Sequence, residues 1–133
     1  MGESKQHQKL VKMIIEDIAN TVGETYCCFI ESDITDGHAL PQLTAEGFRP
    51  DVIYQHQNIM IIGEAKTSKD VDRAHSLLQY ESYIKKCSLF VGEATLIIAV
   101  PWMEYATVYN ITQRIRNHYP GNYVIRILKG IGV

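Results

Sequence analysis

Five consecutive apolar residues, Leu96-Ile97-Ile98-Ala99-Val100, closed by Thr95 and Pro101, constrain the fold more than any other stretch. A run without alternation reads as a strand buried on both faces. Such a strand needs covering layers, and helical periodicity elsewhere supplies them. Leu10, Val11, Ile14, Ile15, Ile18 and Val22 recur at three- and four-residue spacing and predict a helix over about Lys5–Val22, stopped by Gly23. Val71, Ala74, Leu77, Leu78, Tyr80 and Ile84 predict a second helix to about Cys87, opened by a Thr67 or Ser68 cap with Thr67-x-x-Asp70 as its capping box. Met103–His118 reads as a third helix, ended by Pro120-Gly121. Thr25–Glu31, Asp51–Tyr54, Ile59–Lys66 and Tyr123–Leu128 read as strands, with Gln55-His56-Gln57-Asn58 as a hairpin connection. Ser32–Phe48, carrying Gly37, Pro41 and Gly47, reads as irregular. The expected fold class is α/β, a mixed central sheet flanked by helices.

The 133 residues suit one domain spanning 1–133. An apolar fraction of 46% with 21% charged residues is ordinary for a globular chain and argues against disorder beyond the first few residues. The apolar run Leu96–Val100 is far too short to span a bilayer. Met1-Gly2-Glu3-Ser4-Lys5-Gln6-His7 has no signal core behind it and no myristoylation pattern, so a cytoplasmic location without membrane contact is expected. Cys27, Cys28 and Cys87 form no CxxC or Cys/His zinc spacing and read as reduced packing residues. A net charge of −2 argues against tight non-specific DNA binding by a monomer. Its distribution is uneven: Ala106–Val133 holds Arg114, Arg116, Arg126 and Lys129 and no acid.

Charged side chains rarely finish a buried strand unless they are paired or hold a metal. Asp51 follows Pro50 at the start of one apolar run, and Glu64 and Lys66 close the next in Ile61-Ile62-Gly63-Glu64-Ala65-Lys66-Thr67. Alternation puts Ile62, Glu64 and Lys66 on one face, with Glu64 and Lys66 roughly 6.6 Å apart along the strand. Hairpin pairing brings Asp51 to the same end. Two carboxylates beside one ammonium suit Mg2+, which is bound by one or two carboxylates. Such a site offers an activated water and charge neutralisation at a scissile phosphate, with Lys66 positioned for the attacking water or the developing charge.

Pro50-Asp51 followed by Glu64-Ala65-Lys66 resembles the PD-(D/E)xK nuclease signature, and the order helix, three strands, helix, strand is similar to that superfamily's restriction-endonuclease-like core over roughly residues 5–100. Gln79 and Tyr83 add a Gln-x-x-x-Tyr pattern on one helical face that resembles the RecB-type branch. The resemblance implies magnesium-dependent hydrolysis of DNA phosphodiesters, with Mn2+ able to substitute. It makes Asp51 and Glu64 metal ligands together with the Ala65 carbonyl, Lys66 the catalytic lysine, and Gln79 a contact to substrate or metal site. Many members carry a glutamate on the first helix. Here Glu16 lies opposite the apolar stripe, Asp17 is nearer its edge, and Glu31 ends the first strand.

Competing readings use the same residues. Asp51 could cap a turn after Pro50, with Glu64 and Lys66 a surface ion pair. A nuclease-fold module without catalysis, serving as a binding or assembly subunit, fits the missing first-helix glutamate and the mild acidity. A small-molecule enzyme would need a cofactor loop, and no GxGxxG or P-loop spacing occurs. Asp70 and Asp72 read as first-turn helix acids. His7, His38, His56, His75 and His118 show no ligand spacing and read as surface or core histidines. Arg114 and Arg116 read as a solvated helix face or as contacts to a DNA backbone. The chain's small size points to a homodimer or a partner protein for substrate grip.

Overall fold

The computed structural model describes residues 4–32 and 39–132. Its centre is one mixed sheet in the order β1-β2-β3-β4-β5, formed by β1 Ile30–Ser32, β2 Val52–His56, β3 Ile59–Ala65, β4 Glu93–Pro101 and β5 Val124–Gly130. β1, β2 and β3 pair antiparallel, and β3, β4 and β5 pair parallel. The fold is α/β, as the periodicities predict. β4 is buried from Leu96 to Pro101, and each of its faces carries a core. Helix α1, Lys5–Val22, lays Leu10, Val11, Ile14 and Ile18 on Val52, Ile61, Ala65, Ile97 and Ala99. Helices α2, Ala74–Leu89, and α3, Tyr105–Arg116, cover Met60, Ile62, Leu96, Ile98 and Val100 on the opposite face. Gly63 permits the close seat of α1, because a Cβ there would stand 2.5 Å from Ile14 Cγ2.

Several local expectations are corrected. Glu24–Phe29 is a 3-10 helix and only Ile30–Ser32 extends, because Tyr26 N–H and the Cys27 thiol turn back to the Gly23 carbonyl at 3.2 and 3.3 Å. α2 starts at Ala74 behind Arg73, not at Thr67. The Thr67 hydroxyl does meet Asp70 Oδ2 at 3.0 Å, but Asp70 N–H returns to the Thr67 carbonyl at 3.0 Å and closes a turn instead of opening a helix. Asp70 and Asp72 therefore precede the helix. Trp102–Glu104 forms a separate 3-10 turn before α3, since Pro101 is extended with ψ 143. The hairpin needs only Gln57-Asn58, with Gln57 at φ 56. Residues 39–50 are irregular as expected, whereas residues 33–38, including His38, and residues 1–3 lie outside the described set.

Candidate active site

The β2–β3 register, with Val52 opposite Gly63, places Asp51 across from Glu64 where the two strands end. Two backbone donors lock them together. Asp51 N–H donates to Glu64 Oε1 at 3.2 Å, and Ala65 N–H donates to Asp51 Oδ2 at 2.9 Å. In a strand, one residue's N–H and C=O share an edge, so the Ala65 carbonyl lies on the edge that faces Asp51. Lys66 N–H continues the parallel ladder to the Ala99 carbonyl at 3.0 Å, which holds the strand end firm.

Glu64 sits on the α2 side of the sheet and is only 3% exposed. Lys66 Nζ stands 3.3 Å from Glu64 Oε2 and also donates to Gln79 Oε1 of α2. An ammonium has three donors, and these are its two partners among the described residues. Burial first, and the Asp51 charge second, push the Glu64 carboxyl up to about 8, against the lowering effect of Lys66. One lysine faces two neighbouring acids, and the proton that Glu64 keeps offsets the second. Tyr83, one turn after Gln79, has a buried hydroxyl beside Glu64. Burial raises its pKa, and the Glu64 charge adds to the rise. The donor set is hard oxygen and partly desolvated, which fits a small divalent cation better than a soft metal. The described residues contain no cluster of three or more His, Cys, Asp or Glu. A bound ion would therefore combine Asp51, Glu64 and the Ala65 carbonyl with water, as Mg2+ commonly does.

Asp51, Glu64, Ala65, Lys66 and Gln79 thus converge as the sequence pattern required. The first-helix acids do not join them. Glu16 is exposed, Asp17 pairs with Arg126 at 2.5 Å, and Glu31 sits opposite Ile53 in the ladder. α1 contributes His7 instead, whose Nε2 lies 3.2 Å from Asp51 Oδ2. This corrects its reading as an ordinary surface or core histidine. Ser4 Oγ caps α1 by accepting from His7 N–H at 3.0 Å, fixing the turn that delivers the ring. That cap was the available signal, although nothing local reveals a contact across 44 residues. Arg116 donates to the Tyr123 carbonyl and lies 4.4 Å over its ring, so it holds α3 to the chain before β5. Arg114 is exposed on a groove between α2 and α3. A cleft of about 590 Å³ is lined by Ser4, Gln6, His7 and Thr67–Asp70, and reaches the site through His7. No helix among the described residues is long and apolar enough to cross a membrane.

Comparison with protein-family models, curated proteins and solved structures found no match to the chain.

Proposed function

We propose that the protein is a metal-dependent nuclease that hydrolyses DNA phosphodiester bonds, in the manner of the PD-(D/E)xK superfamily. One observation carries the reading: Asp51, just before β2, and Glu64 of β3 are tied by each other's backbone region at 3.2 and 2.9 Å, with Lys66 Nζ 3.3 Å from Glu64. A surface ion pair would leave all three charges in water, where it contributes little. Here the chain keeps Glu64 and Lys66 buried at the end of a core strand.

Asp51, Glu64 and the Ala65 carbonyl would hold Mg2+, or Mn2+ in its place. The ion supplies Lewis-acid polarisation of a phosphate oxygen and an acidified water. Lys66 has an N–H left over from Glu64 and Gln79, and offers it to the attacking water or to the charge that develops on the phosphate. Gln79 fixes the lysine's position, and His7 meets Asp51 Oδ2, the oxygen that also accepts from Ala65 N–H. Water adds across the P–O bond; its oxygen joins phosphorus and its proton ends on the departing oxygen.

The test pairs calorimetric titration of Mg2+ with cleavage of plasmid and single-stranded DNA. Asp51→Ala and Glu64→Ala should abolish both metal binding and cleavage, and Lys66→Ala should bind metal without cutting. Metal binding by the unmodified protein with no cleavage of either DNA would instead select the inactive assembly module.

A further inference from the structure

β4 and β5 run parallel to β3 and end on the same side of the sheet as the acids, with Ala65 opposite Ala99 and Pro101 opposite Gly130. Chain reach limits Trp102 to about 10 Å beyond Ala99, whose neighbour across the ladder is Ala65. At that rim the chain does something unusual for its surface. Trp102 is 57% exposed and Met103 61% exposed. Tyr105 and Tyr109, one turn apart at the start of α3, stack with ring centroids 6.0 Å apart and planes 19° apart. Lys129 Nζ lies 4.5 Å over the Tyr105 ring. Exposed apolar residues are normal singly, but grouped aromatic surface marks an interaction site.

We infer that the exposed rings of Trp102 and Tyr109, backed by Tyr105 and Lys129, form a stacking surface for the bases of single-stranded DNA beside the acidic site. The inference rests on the nuclease reading for its choice of occupant. Aromatic faces beside an exposed cation match the way unpaired strands are held, bases on rings and phosphates on lysine or arginine. Charge complements this. Lys129 is exposed and carries no ion pair among the described residues, whereas Arg126 is held by Asp17 and Arg116 by the Tyr123 carbonyl; Glu104 is the single carboxylate interspersed among the aromatics. A duplex hides its base faces and cannot use the surface.

Trp102 is the sole tryptophan, so its emission reports this surface alone. The full chain, in excess chelator to prevent cutting, is titrated with oligothymidylate, with an abasic strand of equal phosphate count, and with a duplex. Stacking predicts quenching by oligothymidylate and little by the other two. Trp102→Ala should weaken binding of a labelled oligothymidylate, read by anisotropy, roughly 5- to 150-fold, and Trp102→Phe should restore most of it. Lys129→Ala should reduce the slope of log affinity against log salt by about one contact's share. Equal quenching by the abasic strand, or unchanged affinity in Trp102→Ala with an unchanged melting temperature, overturns the inference. So does a dimer that Trp102→Ala dissociates in sedimentation, which would assign the surface to a second copy. Because no metal or cleavage is needed, base-dependent quenching without any nuclease activity would sink the proposed reaction while leaving this surface standing.

Discussion

The two ends of β3 contrast sharply. At the hairpin end, His56 stacks on Phe29 with centroids 4.0 Å apart and lies tilted against Tyr26 at 5.3 Å, and the Asn58 carbonyl accepts from Glu93 N–H at 2.8 Å. Polar groups there find ordinary partners, and the rings reach water. At the other end, Glu64 is desolvated next to a second acid, and its carboxyl is pushed up to about 8 by burial and by Asp51. The first end is arranged for stability. At the second, burial and a neighbouring acid shift a carboxyl's proton affinity far from its ordinary value, the pattern expected where a site is tuned for chemistry rather than for folding.

The largest break in that contrast comes from the acids. Asp51→Asn or Glu64→Gln should lower cleavage by about 10³-fold or more, since several kcal/mol of charge stabilisation at the phosphate goes with the ion. The melting temperature of Glu64→Gln should hold in chelator between pH 5 and pH 7, because the folded carboxyl already keeps its proton there and the amide preserves its shape. Kinetics and thermal melts of the same variant check both halves. Lys66→Ala follows, with cleavage down about 10²–10⁴-fold and Mg2+ binding retained in calorimetry.

Acidity sharpens the comparison further. With its pKa raised to about 8 from 4.5, folded Glu64 keeps a proton that the unfolded chain gives up in that window. The native state then binds more protons, so stability of the metal-free protein is greatest below the window and falls as pH rises through it. Melting temperatures in chelator between pH 5 and pH 8 should decline, and added Mg2+ should flatten the decline because binding releases the proton. A melting temperature that climbs over this range in chelator would refute the assignment. Gln79→Ala should reduce turnover about tenfold by freeing Lys66, in the range seen when residues behind a metal site are lost. The smallest effect belongs to the opposite end. Phe29→Ala should cost about 1 kcal/mol of stability from the lost ring contact and leave the Mg2+ titration unchanged.

Much of this was legible because the controlling signals are local. Alternation in Ile62-Gly63-Glu64-Ala65-Lys66 fixes which face each charge takes, and the short hairpin fixes that Asp51 meets Glu64. The four-residue step from Gln79 to Tyr83 likewise puts both beside the acids. What failed were signals that tertiary contacts override. Thr67-x-x-Asp70 has the residues of a helix cap, but the Tyr80 hydroxyl donates to the Val71 carbonyl at 2.8 Å and Ser76 to the Asp70 carbonyl at 2.5 Å, pinning 67–73 as an irregular turn. Thr25–Glu31 has strand composition, yet Gly23 at φ 88 redirects the chain into short-range turns. His7 was hidden because its role depends on where α1 lands, which the packing of Ile14 over Gly63 decides.

The central claim is that Asp51 and Glu64 share a divalent ion. Crystals soaked in Mn2+ test it most directly through the ion's anomalous signal. The account predicts a peak at direct-ligand distance, roughly 2 to 2.3 Å, from a carboxylate oxygen of each residue and from the Ala65 carbonyl. Fully occupied Mn2+ elsewhere in the crystal, with Glu64 still bonded only to Lys66 and Asp51 N–H, would contradict it.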